Sequence, residues 1–141
     1  MLFVDLLHIK TNIMNREIKF RGKRIDNKEF IYGFYQYTIY SKSYQKQFNV
    51  NQDYGCYIYP SHIDSAPKEV FKETISQFTG LKDENKKEIY EGDLVVFGEN
   101  ETLHEVRYHK SGFCLFVDNK CYVYNIRPEV ITVVGNIYSK N

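Results

Sequence analysis

The run Thr79-Gly80-Leu81-Lys82-Asp83, followed by Lys87-Glu88-Ile89-Tyr90-Glu91-Gly92-Asp93-Leu94-Val95, is a turn-rich connector that ends in an apolar strand. Gly92 permits positive φ, and Asp93 is a short carboxylate able to bond nearby amides, which is the chemistry of a chain turning into a sheet. The Glu-Gly-Asp step ahead of Leu94 and Val95 predicts the start of a small β-barrel.

Thirteen Tyr and ten Phe in 141 residues push the chain toward strands, which favour aromatic and β-branched side chains. A length of 141 residues is enough for one compact domain with a buried core. The net charge of +1 gives no global attraction to a polyanion or an anionic membrane. No apolar run approaches the roughly 18 residues needed to span a bilayer. Residues 1–13 carry Asp5 inside their apolar stretch and lack a basic start, so they do not read as a signal peptide. Met14 stands just before Asn15-Arg16-Glu17-Ile18-Lys19-Phe20, which makes 1–13 either an appendage to a start at Met14 or a docked N-terminal strand. Cys56, Cys114 and Cys121 have no metal-ligand spacing, and an odd count suits reduced thiols in a cytoplasm.

Periodicity divides the chain. Residues 16–21 alternate, with Ile18 and Phe20 on one face, and residues 30–40 form a long aromatic strand after the Asp26-Asn27 turn, predicting a hairpin. Residues 41–55 read as loop, 56–59 as a strand halted by Pro60, and 68–75 as either one helical turn or a strand. Strands are predicted over 94–97, 103–109, 113–117, 121–126 and 131–138, with tight turns at 110–112 and 118–120 and a helical turn at Arg127-Pro128-Glu129. The expected fold is mainly β: a single domain over 14–141, with a β-hairpin and loop extension (14–78) ahead of an SH3-like small barrel (79–141).

The chemistry is sparse. Glu88, Glu91 and Asp93 are the nearest approach to a catalytic or metal-binding set, since hard cations and acid–base pairs need converging carboxyls. The same residues are ordinary turn chemistry, and that reading is preferred; no metal, cofactor or catalytic residue is expected. His8, His62, His104 and His109 show no ligand spacing, and no phosphate-binding glycine motif occurs. Charge is uneven: residues 16–28 carry six basic against two acidic groups, and 83–105 carry eight acidic against two basic. Arg16, Lys19, Arg21, Lys23 and Arg24, with Tyr32 and Tyr35 nearby, form a candidate nucleic-acid or nucleotide surface through phosphate pairing and stacking. The competing reading sets the basic and acidic regions against each other, within one subunit or between two. The tyrosine-rich half also suits self-association, so a homo-oligomer is expected.

Several blocks together resemble the YopX family of phage and prophage proteins. They are the opening Arg16-Glu17-Ile18-Lys19-Phe20-Arg21, the run from Glu73 to Asp83, the run from Lys87 to Val95, and the closing Val134-Gly135-Asn136-Ile137-Tyr138. Gly22 and the Lys86-Lys87 pair depart from the family pattern. The resemblance implies an SH3-type barrel, a phage or prophage gene, and a product in the cytoplasm of a bacterial host. It implies structural motif positions at Thr79, Gly80, Leu81, Asp83, Tyr90, Glu91, Gly92, Asp93, Gly135, Asn136 and Tyr138, and no catalytic residues. The expected role is a non-catalytic accessory module that binds a host protein, nucleic acid or nucleotide signal. The alternatives are a homo-oligomeric assembly protein and an enzyme built on the carboxylate set.

Overall fold

A computed structural model describes residues 16–62 and 65–139; the appendage or docked strand expected for 1–13 lies outside them. Eleven strands form two antiparallel sheets. The first sheet contains β1 (Phe20–Lys23), β2 (Phe30–Ile39), β3 (Tyr54–Pro60), β4 (Lys68–Glu69), β5 (Ser76–Lys82) and β6 (Glu88–Tyr90), in the spatial order β4-β3-β2-β1-β5-β6. The second contains β7 (Asp93–Phe97), β8 (Asn100–His109), β9 (Gly112–Val117), β10 (Lys120–Val123) and β11 (Ile131–Asn136), in the order β10-β9-β8-β7-β11. One helix, α1 (Lys42–Phe48), joins β2 to β3. Among the described residues no helix is long and apolar enough to cross a membrane.

The mainly-β expectation holds, but pairing among the described residues closes no barrel. The second sheet ends in β10 on one side and β11 on the other. The chain passes between sheets at Glu91-Gly92, so β5, which includes Thr79 to Lys82, and β6 belong to the first sheet, with Asp83 in the turn between them. Several local expectations shift as well. The first strand begins at Phe20 rather than Arg16, because its pairings with β2 and with β5 both start there. The predicted loop 41–55 contains α1, started by the Ser41 side chain accepting from the Tyr44 amide and ended by Asn49 in the left-handed region. Its apolar residues Tyr44 and Phe48 form a single-turn pair, too short a period to register as a helix. Residues 68–75 contain both expected forms, strand β4 and then a 3-10 turn over Lys72–Thr74. The helical turn expected at Arg127 is a 3-10 turn over Pro128–Val130.

The core has two parts. Ile89, Val95, Val106, Leu115, Ile126, Ile131 and Val133 pack between β6 and the second sheet. Cys56, Ile58 and Val70 pack with Phe20, Ile31, Tyr35 and Ile75 under the first. Burying a side chain of this size contributes roughly 1.5–3 kcal/mol, so these residues carry most of the folding energy. Gly33 allows β2 to pair with β1 and β3 together: a Cβ there would lie 1.9 Å from the Tyr59 carbonyl oxygen.

Candidate functional site

The residues singled out from sequence divide between a sealed seam joining the two sheets and an open aromatic hairpin.

The seam centres on Arg21, which β1 directs inward. Its guanidinium contacts Asp93 at 2.6 Å, and both side chains are almost fully buried. The Arg21 guanidinium carbon lies 4.9 Å from the Phe30 ring centre and 4.8 Å from that of Tyr90, so the cation sits between two aromatic faces. Asp93 Oδ2 accepts from the Tyr90 amide at 2.8 Å. Arg21 Nε and Asp93 Oδ1 make no aligned hydrogen bond with any described residue. Burial pushes the Asp93 carboxyl above its usual value, outweighing the pull of Arg21 and of the Tyr90 amide.

A second pair lies beside it. Lys19 Nζ reaches Glu88 Oε1 at 2.6 Å, and the Tyr90 hydroxyl donates to Glu88 Oε2 at 2.8 Å. Burial alone would raise Glu88, but Lys19, Tyr90 and Lys82 together hold it below its usual value. Burial and the Glu88 contact drive the Tyr90 hydroxyl strongly upward, so it stays protonated as a donor.

These opposite shifts carry opposite pH signs. Glu88 binds protons less readily folded than unfolded, so its stabilisation is present above about pH 4.5 and is lost as pH falls through its lowered folded value. Asp93 binds protons more readily folded, so its contribution weakens as pH rises from 3.8 through its raised value. Urea unfolding of Glu88→Gln across the acid range should therefore show a flatter loss of stability below pH 4.5 than the parent chain. Identical profiles would remove Glu88 from the acid response.

The other motif residues build the same seam. Asp83 is buried and accepts three amides: Asn85 and Lys87 on Oδ1, each at 2.9 Å, and Val133 on Oδ2 at 2.9 Å. It therefore closes the β5–β6 turn and fastens that turn to β11. Thr79 Oγ1 donates to the Ile89 carbonyl and accepts from the Leu81 amide. Gly92 has φ +78 and faces the Tyr138 ring, where a Cβ would come within 2.8 Å. Asn136 Oδ1 accepts from the Tyr138 amide, and Gly135 sits at the β7–β11 register shift.

The basic surface expected from sequence is largely engaged within the chain. Lys19 pairs with Glu88 and Glu17, Arg21 with Asp93, and Arg24 with Asp26. Lys23 Nζ donates to the Tyr138 carbonyl at 2.7 Å, and Arg16 lies 5.5 Å over the Phe113 ring. Tyr35 faces the core beside Cys56, and burial with that contact pushes its hydroxyl up to about 12. Of these seven residues only Arg16 and Tyr32 are substantially exposed, and the Tyr32 ring lies edge-on to Tyr90. The three carboxylates of the candidate enzymatic set separate: Glu88 meets Lys19, Asp93 meets Arg21, and Glu91 Oε1 accepts from the Tyr108 amide. No cluster of three metal-ligating side chains occurs among the described residues.

An exposed aromatic feature is the face of the β2–β3 hairpin with α1; Tyr108, Tyr122 and Tyr124 are also exposed, on the second sheet and just after it. Phe34 and Tyr59 are directly opposite on one face. Tyr40 stacks on Tyr44, which meets Phe48 at 4.6 Å between ring centres, while Tyr40 and Tyr57 share a hydroxyl–hydroxyl bond. The cleft between α1 and β3 is about 340 Å³ and is lined by Thr38, Ile39, Tyr44, Tyr57, Tyr59 and Pro67. Phe34, Ile39 and Phe48 are each more than half exposed. Sequence reasoning counts the tyrosines here but passes over Ile39 and Phe48. The available signal is a strand with apolar residues on both faces and too few partners to cover them.

The fold and seam define a class: an all-β protein of two open antiparallel sheets locked by a buried arginine–aspartate pair. The chain belongs to the YopX protein family, whose model matches residues 19–141. It is also similar to the crystal structure of protein EF1440 from Enterococcus faecalis, with 23% identity over 87% of this chain and 94% of that one and a TM-score of 0.48. No curated protein matches it.

Proposed function

We propose that the protein is a non-catalytic phage or prophage accessory module that binds a protein partner through the aromatic face of β2, β3 and α1. The observation carrying this reading is the exposed set Phe34, Tyr59, Tyr44 and Phe48, with its adjoining cleft. Aromatic side chains are costly to leave in water and supply large, low-entropy contact area at protein interfaces. Charge favours protein over nucleic acid. The cations of β1, the natural phosphate contacts, are held by Asp93 and the Tyr138 carbonyl, and the neighbouring Lys19 by Glu88. The scattered carboxylates favour binding over catalysis.

The test is affinity capture from host cells with the parent chain and with the pair Phe34→Glu/Tyr59→Glu. A protein recovered by the parent and lost by the folded variant, at unchanged circular dichroism, supports the reading. Recovery unaffected by the variant overturns this face as the contact. Binding of single-stranded nucleic acid that falls steeply with salt and is abolished by Lys19→Ala would replace the proposal with the nucleic-acid alternative.

A further inference from the structure

We propose that the edge of β2 over Phe34–Ile39, which no described residue pairs, is a strand-pairing site for the same edge of a second copy of this chain. β2 has ten residues, but β1 pairs only with its first four, from Phe30 to Gly33. Beyond Gly33, β2 is paired on its β3 side alone among the described residues. The Tyr40 amide donates to the Asp53 carbonyl on that side. By strand alternation the backbone groups of Thr38 and Gln36 face β3 as well, and those of the odd positions face away from it. Tyr35, Tyr37 and Ile39 therefore present a row of N–H and C=O groups that no described residue pairs.

Natural sheets protect such an edge with charge, proline, a bulge or a covering loop. Phe30–Ile39 carries neither charge nor proline, and its pairing with β3 runs from Gly33 to Ile39 without a register shift. Ile39 ends the strand at 75% exposure. The occupant follows from the strand's own sequence. Antiparallel pairing about a two-fold axis at Tyr37 sets Tyr35 opposite Ile39 of the second copy and Gln36 opposite its Thr38, with no like charges meeting. A two-fold contact needs this kind of self-complementary surface. The pairing joins two six-stranded sheets into one and places the two aromatic faces side by side. It concerns the strand's edge, so it stands whether or not those faces bind a further protein.

Sedimentation equilibrium and amide hydrogen exchange on the full chain test this. The expected species has a mass of about 34 kDa, twice 16.8 kDa, with the Tyr35, Tyr37 and Ile39 amides protected more strongly as protein concentration rises. Ile39→Pro removes an edge donor while sparing the β2–β3 ladder, and Gln36→Lys/Thr38→Lys sets like charges across the axis. Each should weaken association at least tenfold without changing the circular dichroism. A chain that is monomeric at all concentrations overturns the proposal, as do edge amides protected in a monomer. An oligomer whose mass and protection are unchanged in both variants overturns it too.

Discussion

Replacing Arg21 with Ala should lower unfolding free energy by about 3–5 kcal/mol, the range for removing one member of a buried ion pair. The loss arises because Asp93 would remain buried without its counter-charge, already held above its usual pKa by burial. Asp93→Ala should cost a similar amount by stranding Arg21 between Phe30 and Tyr90. The paired change Arg21→Met/Asp93→Leu should recover much of either loss, since it removes both charges and keeps the volume filled. Urea unfolding of the parent, the two single alanine variants and Arg21→Ala/Asp93→Ala supplies the double-mutant cycle. Additive losses in the double alanine variant would show that the two side chains act independently.

Asp83→Ala is the second large effect, expected at about 2–4 kcal/mol, because an unmet buried donor costs roughly 1–3 kcal/mol, in full for the Val133 amide and less for the part-buried Asn85 and Lys87 amides. Its carboxylate satisfies three backbone amides, and all three would lose their acceptor. Asp83→Asn, which keeps one acceptor oxygen, should lose less than the alanine variant. The β11 amide of Val133 should also exchange faster in Asp83→Ala. Unchanged exchange there would mean that the β5–β6 turn is not fastened to β11 through this side chain.

The all-β character was legible because period-two alternation and turn residues recur through the second half of the chain. The hairpins around residues 110–112 and 118–120 appear in the structure as the β8–β9 and β9–β10 connections. Strands β5 and β6 were harder to see. Ser76–Lys82 carries Thr79 and Gly80 in its middle, and these read as turn residues because the pairing that makes the segment a strand runs to Phe20, Arg21, Glu88 and Tyr90, far along the chain or across a turn. The sheet to which a strand belongs is a long-range property, and a local window cannot register it. The site was legible in a different sense. The opposed charge of residues 16–28 and 83–105 was visible, and two of its pairings, Lys19 with Glu88 and Arg21 with Asp93, lie at the sheet seam. Which basic residue meets which acid depended on β1 lying between β2 and β5, and the sequence offered no signal for that order.

The bond from Lys23 Nζ to the Tyr138 carbonyl joins positions 115 apart, and this has a bearing on biosynthesis. That bond cannot form until Tyr138 has left the ribosome. Until then β1, which pairs with β2 and β5, lacks its tie to the segment after β11. A lower growth temperature, which weakens apolar association between unfinished chains, should therefore favour recovery of folded material over inclusion bodies.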